Sequence, residues 1–157
     1  MRLTRSAWGW TAFVLSLGGL GVSIYLTIEH YTGNRTLACS STGKIDCLKV
    51  TTSQWSVIAG IPVALLGLLF FVAMALVCLP IGLTAGLHLV RIAFSALGSV
   101  MVLYLIYVEL FKVDAICLWC TAVHVLTVAL LVVSLGYQES SSRLGASRRG
   151  RIAGAGR

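Results

Sequence analysis

The sequence predicts an all-α integral membrane protein: a bundle of four transmembrane helices, an outer loop capping it between the first and second, and both termini cytoplasmic. Three observations carry this. The 157 residues are 58% apolar and only 11% charged. The apolar residues collect in four runs, Ala7 to Ile28, Ile61 to Leu79, Ile92 to Leu110 and Ile116 to Leu135, each long enough at about 1.5 Å per residue to cross a hydrocarbon core of about 30 Å. The charges lie mostly between and beyond these runs, whereas a soluble domain would spread them over amphipathic faces.

The first run follows Arg2 and Arg5. It is longer than the apolar region of a secretory signal, and no small-x-small cleavage site closes it, so it is expected to stay in the protein as a helix. Residues 30–60 form the one sizeable stretch between helices. They mix Thr, Ser, Lys and Gly with scattered apolar residues, and Trp55 with its neighbours suggests a segment lying in the interface. Pro62, preceded by Gly60, stands where a helix start tolerates a missing amide proton. The short link Pro80 to Gly86 makes the second and third helices antiparallel neighbours. Small residues at Gly18, Gly19, Gly21, Gly67, Ala93, Ala96, Gly98 and Ser99 allow close backbone approach.

Flanking positive charge sets the orientation. With both termini inside, the cytoplasmic side holds Arg2, Arg5, Arg91, Arg143, Arg148, Arg149, Arg151 and Arg157, and the outer side only Arg35, Lys44, Lys49 and Lys112. The domain reading is therefore a membrane domain over 1–137 and a basic, disordered cytoplasmic tail over 138–157. Much of the net charge of +7 sits in that tail, where contact with anionic lipid explains it better than nucleic acid does. Glu29, His30, Glu109, Lys112 and Asp114 read as solvated charges at the outer interface.

In this orientation four of the five cysteines, Cys39, Cys47, Cys117 and Cys120, share the outer, oxidising side. Cys117 and Cys120 form a C-x-x-C at the start of the last helix, where free amide protons and the helix dipole favour a thiolate at Cys117. Thr121 stands where a c-type haem site needs histidine. Taken alone, this pair also suits a metal ligand set, and Cys39 with Cys47 also suits a static staple. Two pairs on one side can instead pass electrons by thiol–disulfide exchange with no metal. His124 lies one turn beyond Cys120 on the same face, either as a buried histidine satisfied by a neighbour or as a hydrogen-bonding group of the site. Cys78 reads as an ordinary buried thiol.

These pairs, together with Cys47-Leu48-Lys49-Val50-Thr51-Thr52-Ser53-Gln54-Trp55, Gly60-Ile61-Pro62 opening a helix and Cys117-Leu118-Trp119-Cys120 opening the last, resemble the vitamin K epoxide reductase family in its bacterial branch, from the first helix to about Gly136. The resemblance implies a thiol:quinone oxidoreductase of the bacterial plasma membrane with its site on the outer side. Electrons would pass from a separate reduced thioredoxin-fold protein to Cys39 and Cys47, then to Cys117 and Cys120, then to ubiquinone or menaquinone, supporting disulfide bond formation. On that likeness Cys39 meets the partner, Cys47 reacts with Cys117, and Cys120 lies against the quinone. Ser53 and Trp55 match residues beside the reaction centre. The animal enzymes carry an Asn near the start of the second helix and a Tyr where this chain has His124, so quinone reduction fits better than epoxide reduction. A membrane metal-binding or transport protein using Cys117, Cys120 and His124 is the reading from another class.

Overall fold

In the computed structural model, the described residues are 2–33, 36–39, 42–79 and 87–155, with side chains described from 7 to 137 within that set. The link Pro80 to Gly86 lies outside them. Helix α1 spans Arg2–Thr32, α2 Cys47–Thr51, α3 Val63–Val77, α4 His88–Val108 and α5 Leu118–Ala155. Three apolar stretches, Ala7–Thr32, His88–Val113 and Leu118–Tyr137, are long enough to cross a membrane. Helix α3 has 15 residues, about 22 Å at the helical rise, and falls short of the hydrocarbon thickness by itself.

Helix α1 packs against both α3 and α5, and α5 also packs against α4. Between α1, α3 and α5 lies a core of Ala12, Phe71, Met74, Cys78, Leu130 and Val133. Close approach depends on two glycines. A Cβ on Gly19 would stand 2.1 Å from the Phe71 ring, and one on Gly98 would stand 2.8 Å from the Phe70 ring. By contrast, a Cβ on Gly21 meets nothing within 4 Å, so the small-residue pattern is only partly a packing pattern. Helices α3 and α4 touch sparsely, because a cavity separates them where the short link suggests direct packing.

Buried hydroxyls are satisfied within their own helices, as an apolar surrounding demands. Ser16 donates to the Ala12 carbonyl at 2.8 Å, Ser95 to Arg91 at 2.7 Å, Thr127 to Val123 at 2.8 Å and Ser134 to Leu130 at 2.6 Å. Arg91, placed at the inner edge by its charge, is buried, with its guanidinium 5.1 Å from the Tyr137 ring centre.

Three elements depart from the sequence reading. Helix α5 continues without a break through 138–155, where a disordered tail is expected. Extending an existing helix adds a hydrogen bond per residue without a new nucleus, and Gln, Glu, Arg, Leu and Ala favour that state. Ahead of α3, strands β1 (Val57–Ile58) and β2 (Ile61–Pro62) pair antiparallel. Their two-residue turn puts Ala59 and Gly60 at φ +52° and +82°, the left-handed pair that a tight hairpin requires. Finally, α4 ends in a π-helical turn, Glu109–Val113, closed by Asp114 at φ +49°.

The loop after α1 is tied down on two sides. Ile45 pairs in parallel with Ile116, the Ile116 amide donates to the Lys44 carbonyl at 2.8 Å, and the Asp46 amide donates to the Ile116 carbonyl at 3.1 Å. Lys44 and Asp114 form an exposed ion pair at 2.8 Å. On the other side the Ala38 amide donates to the Tyr25 hydroxyl at 2.8 Å, and the Trp119 indole donates to the Ala38 carbonyl at 3.0 Å. Glu29 corrects its reading as a solvated charge: it is buried, and its carboxylate accepts from the Thr36 amide at 3.2 Å and from the Thr36 hydroxyl.

Candidate functional site

Cys117 is the residue before α5, and it caps that helix as a serine would. The Cys120 amide donates to its sulfur at 3.4 Å, while the Thr121 amide and hydroxyl both donate to its carbonyl at 2.9 Å. A sulfur that accepts a helix N-terminal amide is favoured as a thiolate. Cys117 is fully buried, and Cys120, one turn on, is partly exposed. Both are reduced thiols, and Cys78 is a third, in the core.

Cys39 and Cys47 form a disulfide, with Cα atoms 6.0 Å apart. Cys47 is buried and opens α2, whose start is capped by the Asp46 carboxylate accepting from the Lys49 amide at 2.9 Å. Cys39 is half-buried in the segment 36–39, held by Tyr25 and Trp119. The backbone pairing of 44–46 with Ile116 places Cys47 and Cys117 one residue beyond the Asp46 to Ile116 hydrogen bond, each on its own strand. Thus the two pairs meet at the seam between loop and α5.

Below that seam lies a cavity of about 270 Å³. Its walls are apolar: Val63, Leu66 and Phe70 from α3, and Leu97, Met101 and Leu105 from α4. Its roof is the loop, through Val50, Ser53 and Trp55. Its titratable lining is Cys120 and His124 of α5, one turn apart, with Glu109 from the end of α4 and His30 from α1. Few polar groups on an apolar wall is the form of a site for a mostly apolar small molecule.

The structure brings together Cys120, Ser53, Trp55 and His124 as lining residues, with Cys117 directly behind Cys120. The Ser53 hydroxyl donates to the Val50 carbonyl at 2.8 Å, which fixes the turn that carries Trp55. Trp55 packs with Val50 on Val108, Val113 and Ala115, joining the roof to the end of α4. His124 is buried. Among the described residues no three His, Cys, Asp or Glu side chains form a metal-ligating group.

Two groups of the site escape sequence reasoning. Glu109 is 6% exposed and lines the cavity, although its place beside Lys112 at the end of an apolar run reads as an interfacial charge. The π-helical turn that begins with it has no sequence signature. Trp119 lies between the two cysteines, with its ring 4.9 Å from Tyr25; the only signal was an aromatic residue inside the C-x-x-C.

The family model of the vitamin K epoxide reductase family matches residues 10–135, most of the chain and all of the site. The chain belongs to this family of membrane oxidoreductases, whose members act on quinones.

Proposed function

We propose that this member of the family is a thiol:quinone oxidoreductase with four membrane-crossing helices, α3 with its flanking residues being the fourth. The observation that carries the proposal is the stacking of two cysteine pairs over an apolar cavity that Cys120 enters. In the proposed orientation both termini are cytoplasmic, and the loop and cavity mouth face the outer side of the plasma membrane.

The cavity residues suit a quinone. Apolar side chains of α3 and α4 accept a flat ring and its tail, while His124, Glu109 and Cys120 line the same cavity as hydrogen-bonding partners for ring oxygens. The bound quinone supplies a two-electron, two-proton acceptor. Whether it is ubiquinone or menaquinone depends on the membrane.

The residues divide the work. Cys39, the more exposed member of its pair, receives the thiolate of a separate reduced thioredoxin-fold protein, and the Cys39–Cys47 bond breaks. Cys47, buried at the seam, then attacks Cys117 of the oxidised Cys117–Cys120 pair and releases Cys120; the partner's second thiol frees Cys39, which displaces Cys117 from Cys47, re-forming the loop disulfide and leaving Cys117 and Cys120 as thiols. In the state described here, with the loop pair oxidised and Cys117 and Cys120 reduced, the inner pair is poised to reduce the quinone. Ser53 and Trp55 hold the roof, and the roof excludes water from the thiols. Re-forming the Cys117–Cys120 disulfide breaks two S–H bonds, and the two electrons and two protons released convert the quinone to quinol.

Steady-state reduction of a water-soluble quinone by purified protein, driven by a reduced thioredoxin-fold donor, tests this. Wild type should turn over, and Cys120→Ser should lose activity by at least about 1,000-fold, because the variant retains no thiol that lines the cavity. Retained activity in Cys120→Ser would refute the assignment.

A further inference from the structure

Thiol oxidation by a quinone moves protons as well as electrons, and thiols, being weak acids, need a base to form the attacking thiolate. The side chain placed to serve is Glu109. It is carried on the π-helical turn at the end of α4, a geometry that recurs at functional sites because the extra residue redirects a side chain. Its side chain is almost wholly buried, lines the same cavity as Cys120 and faces both the Cys120 thiol and the Cys117 amide. Among the described residues it forms no ion pair; the Lys112 ammonium lies 6.0 Å from the ring centres of Trp55 and Tyr107. Burying a carboxyl group inside a span with no cation is costly, and such groups usually serve function.

We propose that Glu109 is a proton carrier between the Cys120 thiol and the quinone, a role that rests on the quinone reading above. The Glu109 carboxylate takes the Cys120 proton as the sulfur gives its electron pair to the acceptor, and the resulting carboxylic acid donates that proton to a ring oxygen. Cys117 then bonds to the Cys120 sulfur, the bond between that sulfur and the acceptor breaks with its electron pair left on the ring, and the Cys117 proton completes the quinol, so two S–H bonds are broken, one S–S bond is formed and the quinone gains two electrons and two protons. The other titratable residues lining the cavity are His30 from α1 and Cys120 and His124 from α5, with Cys117 behind Cys120; the lining residues of α3 and the loop are neutral.

The test has two arms. In the first, kcat and KM for quinone are followed across the neutral pH range for wild type, Glu109→Gln and Glu109→Asp. The Gln variant should lose about 100-fold in kcat with KM little changed and with the acidic limb of the profile flattened, and Asp should restore part of the rate. In the second, the alkylation rate of Cys120 is measured against pH in a Cys117→Ser background, with Glu or Gln at 109, and the profile should move on substitution. Unchanged kcat and profiles in the Gln variant would overturn the proposal. So would an equal, pH-independent loss in Gln and Asp with the alkylation profile unmoved, which is the mark of a structural role. If wild type fails to reduce quinone, the acceptor reading falls and the quinone half of this role with it, while the alkylation arm still decides whether Glu109 governs the Cys120 proton.

Discussion

Cys117 and Cys120 share a motif but not an environment, and their difference sets the direction of the chemistry. Cys117 is sealed behind the seam with a backbone amide on its sulfur, while Cys120 opens into the cavity. The loop pair is similarly unequal: Cys39 is half-buried and Cys47 is buried. Changing Cys47 to Ser leaves Cys39 a thiol that should attack the disulfide form of the partner and, with no Cys47 to displace it, stay bonded to it, visible as a reductant-sensitive adduct on a non-reducing gel. Absence of that adduct, with the adduct appearing on Cys39→Ser instead, would reverse the order of the loop cysteines. At this scale the sequence was informative where chemistry depends on residue type and spacing. The four paired cysteines and His124 are named from it directly, and Ser53 and Trp55 at the cavity through the family resemblance. It misleads where burial decides. Glu29 and Glu109 look like surface charges because each ends an apolar run, and only the folded loop and the π-helical turn enclose them.

The helices are legible because apolar length is a strong signal, and their ends are less so. Gly33, at φ +78°, stops α1 beyond the last apolar residue of its run, and the β1–β2 hairpin escapes notice because each strand is two residues long and one turn residue is alanine. Packing between helices is legible only in part, since a glycine does not announce which ring it receives. Gly19→Ala should destabilise the α1–α3 contact by about 1–3 kcal/mol, the usual cost of overpacking, because Phe71 is fully buried and cannot withdraw. Thermal unfolding in detergent should show the drop, whereas Gly21→Ala should leave the transition in place. The loop's attachment carries a pH signature. The Lys44 ammonium beside Asp114 holds that carboxyl below its usual range. A group whose folded value is lowered stabilises docking above its unfolded value and loses that contribution as pH falls through the folded one. Limited proteolysis within residues 42–46 should therefore accelerate as pH drops through and below the ordinary carboxylate range. Lys44→Ala should cleave faster already at neutral pH and show a weaker acid response.

For the molecule as a whole, the arrangement sets a largely apolar chamber between α3 and α4, roofed by the loop that carries the Cys39–Cys47 pair. Its orientation in the membrane is an expectation from charge: the basic residues beyond Tyr137 keep the end of α5 inside. A single cysteine introduced at Ser147 in a variant lacking all five native cysteines should resist a membrane-impermeant thiol reagent in intact cells and react after permeabilisation; labelling in intact cells would invert the topology. The central claim is that electrons leave through Cys120 into a quinone. The most direct measurement is an anaerobic titration of fully reduced protein, in detergent and without any donor, counting quinol formed and thiols lost at Cys117 and Cys120 by alkylation and mass spectrometry. One quinol should form for each Cys117–Cys120 pair oxidised, with a second as the loop pair empties through it. Quinol formed without loss of these thiols, or thiols lost without quinol, would contradict that claim.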